Sequence, residues 1–235
     1  MPRMKIAPHS DGFYTYSTEH WEILNSLRNR AIEITKIFQN HQIDVLIYGS
    51  VARGDVKATS DVDIVIIPLL PSYRMEMMLE ECQIPILGKR IIQATPNDVI
   101  KAHYELESNT TITLLLTKFT QTPFEFYKFG GAVSYDQLRK QIRVAGVDKR
   151  LVLILPTSTG HEERALIENQ NIAAKELDIS ISMIQQRIRV LTRRDKIGRT
   201  GVFLNDELAV DQNIEEYLYN LARTNHFIRR RLRMN

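Results

Sequence analysis

The chain has 235 residues, enough for one large domain or two small ones with separate cores. At 43% hydrophobic and 25% charged it has the composition of a soluble globular protein, and a net charge of +3 is too mild to demand a polyanionic partner. Its single cysteine, Cys82, excludes an internal disulfide; the apolar run Ile64–Leu70 is too short to cross a bilayer, and Met1–Gly12 lacks the apolar stretch of a signal peptide, so a cytoplasmic, membrane-free protein is expected.

In chain order, Ser17 to about Phe38 reads as an amphipathic helix. Trp21, Leu24, Leu27, Ala31, Ile34 and Phe38 recur at three- and four-residue steps, with Arg28, Asn29 and Lys36 between them. Val45-Leu46-Ile47-Tyr48 suits a buried strand, which Gly49-Ser50 ends. Val51–Val56 reads as one or two helical turns, and Asp61–Ile67 as a β-branched strand closed by Pro68 and Pro71. A helix is expected over Tyr73–Cys82 and a strand at Arg90–Gln93. Thr95-Pro96-Asn97-Asp98 has the cap, proline and acid of a helix start, which predicts a helix to about Leu106.

Thr110–Leu116 is a further strand. Thr122-Pro123-Phe124-Glu125 repeats the cap pattern ahead of Gly130-Gly131, and Ser134-Tyr135-Asp136-Gln137 opens another helix with a capping box. Leu151–Leu155 is a last strand before Pro156. This uneven mixture predicts an α+β fold with a mixed sheet over residues 1–156. From Glu162 the pattern turns mostly helical, so residues 157–235 are expected to form a second domain, with Pro156–Gly160 as the boundary.

Chemistry concentrates between Tyr48 and Ile66, YGSVARGDVKATSDVDIVI. A strand running into Gly49-Ser50 and then a helical turn offers unpaired N–H groups to a phosphate, and glycine allows close approach. Asp61 lies eleven residues beyond Ser50 and Asp63 two further on. On a strand, positions i and i+2 project from one face, so both carboxylates point to one spot. Two hard anionic ligands beside a phosphate cradle suit Mg²⁺, which takes carboxylate and substrate oxygens. Asp63 sits amid Val62, Ile64, Val65 and Ile66, a setting that charges a carboxylate heavily unless a metal or partner compensates.

This stretch resembles the signature of the DNA polymerase beta nucleotidyltransferase superfamily: Gly-Ser after a strand, a short spacer, then Asp-hydrophobic-Asp-hydrophobic. The run Gly49-Ser50-Val51-Ala52-Arg53-Gly54 through Ser60-Asp61-Val62-Asp63 is similar to the small archaeal and bacterial members. The resemblance implies that Gly49 and Ser50 hold an NTP, with Arg53 and Ser60 near it. It also implies that Asp61 and Asp63 bind Mg²⁺ or Mn²⁺ and that a nucleoside monophosphate passes to an acceptor hydroxyl. It further implies a third carboxylate from a later strand, which helps to deprotonate the acceptor. The strand expected to carry it, Lys89–Ala94, has none. Asp98 and Glu125 sit where caps want acids, and Glu105 and Glu107 fall at the end of the expected helix. Two readings follow: an enzyme, or a catalytically impaired, nucleotide-sensing regulator that binds nucleic acid.

Farther on, Ile172, Ala173, Ala174 and Leu177 give a short apolar helix face. Asp178-Ile179-Ser180 is a turn, and Met183, Ile184, Ile188 and Leu191 mark a second helix. Together they make a helix-turn-helix, and Lys196–Leu204, with Gly198 and Gly201, resembles the wing of a winged helix. The basic residues Arg187, Arg193, Arg194, Lys196 and Arg199 form a plausible phosphate footprint against one acid, Asp195. Winged helices also serve as dimerisation modules. The run Arg229–Arg233 reads as a solvated tail or a nucleic-acid contact, and Phe124, Phe126, Tyr127 and Phe129 as core or as rings for base stacking.

Overall fold

A computed structural model describes Ile6 and residues 11–118, 123–198 and 201–233. Strand β1 (Gly12–Thr15) leads into helix α1 (Thr18–Asn40), which Ser17 caps by accepting from the His20 N–H. Leu24, Ala31, Ile34 and Phe38 of α1 are buried, as the apolar stripe predicts. Then β2 (Val45–Tyr48), α2 (Ser50–Arg53), β3 (Val62–Ile66), α3 (Ser72–Glu81) and β4 (Gly88–Gln93) fall where the local sequence places them.

The helix expected from Thr95 to Leu106 does not form. Thr95 does donate its hydroxyl to the Asp98 carboxylate at 2.8 Å, but the chain there is a turn followed by strand β5 (Lys101–Leu106). Buried Gln93 clamps the turn by donating its amide to the carbonyls of Pro96 and Asp98, at 3.1 and 2.9 Å. Beyond it Ala102, Tyr104 and Leu106 are buried at every second position, the period of a strand. Burial between neighbouring strands outweighs a local cap signal.

Next come β6 (Thr110–Leu115), α4 (Pro123–Gly130), β7 (Ala132–Ser134) and α5 (Tyr135–Arg139), the last opened by the expected Ser134–Gln137 capping box. Thr122 of the second proline cap lies outside the described residues. Then follow β8 (Gly146–Val147), β9 (Val152–Thr157), β10 (Gly160–Ala165), α6 (Gln170–Leu177), α7 (Ile181–Ile197), β11 (Leu204–Leu208), α8 (Ile214–Thr224) and α9 (His226–Leu232). No helix of the described residues is long and apolar enough to cross a membrane.

The chain forms two compact units, each built from separated stretches. Met1–Arg30, Ile47–Ser60 and Thr122–Thr200 make the first; Ala31–Leu46, Asp61–Gln121 and Gly201–Asn235 make the second. The expected boundary at Pro156–Gly160 is instead a hairpin inside the first unit. Pro156 pairs with His161 and Thr157 with Gly160, leaving Ser158 and Thr159 as the loop.

In the first unit, β1, β10, β9 and β8 form an antiparallel sheet in that order. Its core gathers Phe129, Leu153, Leu166, Ala173, Leu177 and Ile184, so the apolar faces of α6 and α7 are spent on this packing. The two helices and the turn between them stand where the helix-turn-helix pattern predicts, with Ser180 capping α7. The wing does not. Lys196 and Ile197 finish α7, and Leu204–Leu208 is β11, which pairs antiparallel with β4 inside the second unit.

In the second unit the strands run in the order β11-β4-β5-β6-β3, a mixed sheet in which only β3 and β6 are parallel. The register sorts its side chains onto two faces. Val62, Ile64, Ile112, Leu114, Tyr104 and Ile91 share one and are buried. Asp63, Thr111, Glu105, His103 and Arg90 share the other.

On that polar face, burial, with Lys101 and Arg90 alongside, pushes the His103 imidazole from 6.5 down to about 4. The unfolded chain takes up a proton there that the folded chain refuses. Stability present above pH 6.5 is therefore lost as the pH falls through 4. His103→Gln should abolish a loss of about 2 kcal/mol between pH 7 and pH 4, read from urea melts of both proteins.

Candidate functional site

In the first unit, β2 delivers the chain to Gly49, whose φ of 85° and ψ of −148° are open to glycine and little else. The Gly49 N–H donates to the Gly131 carbonyl at 2.9 Å, and its own carbonyl accepts from Ala52 and Arg53 to start α2. Ser50 is the first residue of that turn, where backbone N–H groups have no acceptor within the helix. Gly54, at a φ of 106°, closes it. A strand, a glycine-only bend and a helix start thus present N–H groups and the Ser50 hydroxyl, which is what an anion requires.

Two buried arginines stiffen this turn from behind. Arg28, 1% exposed, donates to the carbonyls of Val51 at 3.1 Å, Ala52 at 3.4 Å and Ile142 at 2.5 Å. Burial, aided by Arg143, pushes its guanidinium down to about 10, still charged at neutral pH. Arg53, 5% exposed, forks onto Asp55 with both bonds at 2.9 Å and donates to the Gly130 carbonyl at 2.6 Å. Gly131 and Gly146 make room for it: a Cβ at Gly131 would stand 2.6 Å from the Arg53 Cγ, and one at Gly146 2.7 Å from its Cδ. Arg53, placed near the triphosphate by resemblance, therefore spends its guanidinium inside the unit. Around it, the His20 Nε2 donates to the Gly54 carbonyl at 2.8 Å, and Arg143 lies 4.8 Å over the Trp21 ring. The Tyr16 hydroxyl and His161 Nδ1 share a hydrogen bond of 2.8 Å, and burial next to Asp55 pushes the phenol up. Ser60 accepts the Lys57 N–H at 2.9 Å and closes a local turn.

In the second unit, Asp61 is exposed just ahead of β3, and Asp63 is half-buried on it between fully buried Val62 and Ile64. They stand two residues apart, Asp63 on the strand and Asp61 immediately before its first residue. The Val62 N–H donates to the Asn109 carbonyl at 3.0 Å, which fixes the register with β6. In this unit β3 pairs with β6, while the Lys89–Ala94 segment expected to supply a third acid holds β4, two strands beyond β6. Across the sheet from Asp63 the row reads Thr111, Glu105, Gly88. Glu105 thus faces the same way as Asp63, two strands or about 10 Å away at the Cα. Its carboxylate leans over Gly88, where a Cβ would meet Oε2 at 3.2 Å. Gln93 belongs to the opposite, buried face, and Arg90 is paired with Glu207 at 2.5 Å. Among the described residues no three His, Cys, Asp or Glu side chains gather to hold a metal. Two aspartates with substrate oxygens fit Mg²⁺, which commonly takes one or two carboxylates and completes its shell with phosphate and water.

Residues 28–134 match the family described as the nucleotidyltransferase domain. Over that segment the chain is similar to nucleotidyltransferase domains. The match spans Gly49, Ser50, Asp61, Asp63 and Glu105 alike. No curated protein and no solved structure matches the chain.

Outside residues 28–134, the basic residues of α7 divide. Arg187 lies 4.8 Å over the Phe126 ring and 5.6 Å over Phe129, and burial with Arg194 nearby pushes it down to about 10. It packs the first unit rather than offering a free cation. Arg193, Arg194 and Lys196 are exposed on the last turns of α7, and Arg199 lies outside the described residues.

Arg28 could have been found in the sequence, since it falls on the stripe Leu24, Arg28, Ala31, Thr35, Phe38, all buried. The glycine clasp on Arg53 gives a direct test. Gly131→Ala should cost about 2 kcal/mol or more, because it adds a steric clash to a positive φ. Gly130→Ala, whose Cβ meets nothing within 4 Å, should leave the denaturant midpoint nearly unchanged.

Proposed function

We propose that the protein transfers a nucleoside monophosphate from an NTP to an acceptor hydroxyl, with the triphosphate at Gly49 and Ser50 and Mg²⁺ or Mn²⁺ at Asp61 and Asp63. The observation that carries this reading is Asp63, a carboxylate set on β3 between buried Val62 and Ile64 and two residues after Asp61, inside the segment that matches the nucleotidyltransferase domain. A bound divalent ion neutralises phosphate charge and acidifies an acceptor hydroxyl. The Gly49 bend and the first turn of α2 hold phosphate oxygens through N–H groups, and the Ser50 hydroxyl adds a donor. Ser60 sets the chain ahead of Asp61, and Arg53 keeps the Gly49–Gly54 turn rigid instead of touching the nucleotide. Glu105 is the acid from which a general base is drawn. Nucleic acid is the acceptor class that Arg193, Arg194 and Lys196 would serve.

One observation favours a second reading, a nucleotide-binding regulator without turnover. Thr111, not an acid, stands beside Asp63 on the adjacent strand, and Glu105 leans away from it over Gly88.

Labelled NTPs with Mg²⁺ or Mn²⁺ and total cellular RNA and protein separate the readings. Asp61→Ala/Asp63→Ala should reduce label transfer about a thousandfold, equivalent to roughly 4 kcal/mol of transition-state stabilisation. Transfer that survives in the double variant sinks the proposed site. Glu105→Gln should lower the transfer rate while NTP binding persists. Wild-type protein that binds NTP yet labels no acceptor is the regulator's signature.

A further inference from the structure

The arginine run at the end of the chain is not a uniform solvated tail. Arg231 is buried in the second unit and donates to the carbonyls of Asp98, at 3.1 Å, and Lys118. That anchor turns Arg229 and Arg233, one helical turn apart, onto a different side of α9, where they edge a cavity of about 700 Å³. The cavity lies past the C-terminal ends of the parallel strands β3 and β6, under α8 and α9. Its wall is aliphatic, with Leu69, Leu70, Leu115, Leu218, Ala222 and Leu232 prominent. Arg223 on α8 joins Arg229 and Arg233 at the edge, and all three are exposed. Among the described residues none of the three side chains has a hydrogen bond or ion pair. Among the described lining residues the one acid, Glu215, makes no ion pair with them; its carboxylate accepts the Ser72 N–H and hydroxyl, both at 2.6 Å.

From this wall and edge we infer that the cavity binds an alkyl or acyl chain carrying a carboxylate or phosphate head. A volume of this size is that of a small-molecule site. Among the described residues, Glu215 and Tyr219 are the only lining side chains with polar atoms apart from the arginines, so little there reads the edge of a base or a sugar. Each buried methylene of an aliphatic chain contributes about 0.8 kcal/mol in such a wall. Three guanidiniums in the lining without an ion pair select an anionic head, and their planar forks suit carboxylate and phosphate oxygens. The inference rests on the second unit alone and does not depend on the transferase reading.

Calorimetric titration of the full chain with decyl phosphate, decanoate and 1-decanol tests it. Both anions should bind at one site, and decanol at least about tenfold more weakly. Tighter binding of decyl phosphate points to a phosphorylated lipid, and of decanoate to a free fatty acid; either supports the site. Arg229→Gln/Arg233→Gln should bring the anions down to the level of decanol. Ala222→Trp, checked for an unchanged circular dichroism spectrum and melting temperature, should fill the cavity and abolish binding. Decanol binding as tightly as the anions, binding that survives Ala222→Trp, or folded wild-type protein that takes none of the three overturns the inference.

Discussion

A guanidinium buried next to backbone carbonyls is the interaction on which the Gly49–Gly54 turn depends. The Gly49–Gly54 stretch bends twice through conformations that glycine alone tolerates well, and so short a helix cannot hold itself. Arg28 and Arg53 supply charge-assisted hydrogen bonds to carbonyls of α2 and of the segments it packs on. The desolvation cost is met in different ways. Arg53 has Asp55 as its counter-charge, whereas Arg28 relies on carbonyl dipoles and its pKa falls. The rigidity that results holds the backbone N–H groups of the turn in a fixed arrangement.

The second unit solves a different problem. A mixed sheet with one apolar face has its other face free for chemistry, and the register decides which polar residues meet there. Asp63, Thr111 and Glu105 fall into one row because β6 pairs parallel with β3 and antiparallel with β5. A slip of one residue in either pairing would send Glu105 to the apolar side. Burial lowers the His103 imidazole most, and the same register adds to it by putting His103 opposite Arg90 and two residues from Lys101. Position in the sheet, more than residue type, sets which acids can serve a metal.

The C-terminal arginines show how a single buried contact changes the meaning of a charge run. Once Arg231 is fastened to the Asp98 and Lys118 carbonyls, its neighbours one turn apart cannot all face the same way. What reads as a solvated cluster becomes one anchor and two cations beside a leucine-lined cavity. The basic residues of α7 split in the same manner, with Arg187 laid on Phe126 and Phe129 while Arg193 and Arg194 stay outside.

The sequence by itself determined what is short-range. Gly49-Ser50, the Asp61 and Asp63 spacing, the helix α1 and the Ser134 capping box are all contiguous signals whose physics acts within a few residues. It misplaced elements whose reason is distant. Thr95-Pro96-Asp98 offers a helix start, yet Gln93 and the strands beside it make a turn and β5. β10 and β11 read GHEERA and LNDEL, too polar to look like strands, and exist because β9 and β4 pair with them. Only the tertiary structure decided that Arg53 is consumed by Asp55, that Thr111 stands beside Asp63, and that Glu105 is the acid sharing their row. Strand register and side-chain burial couple residues far apart in the chain, and a pattern read along one strand of sequence carries no term for that coupling.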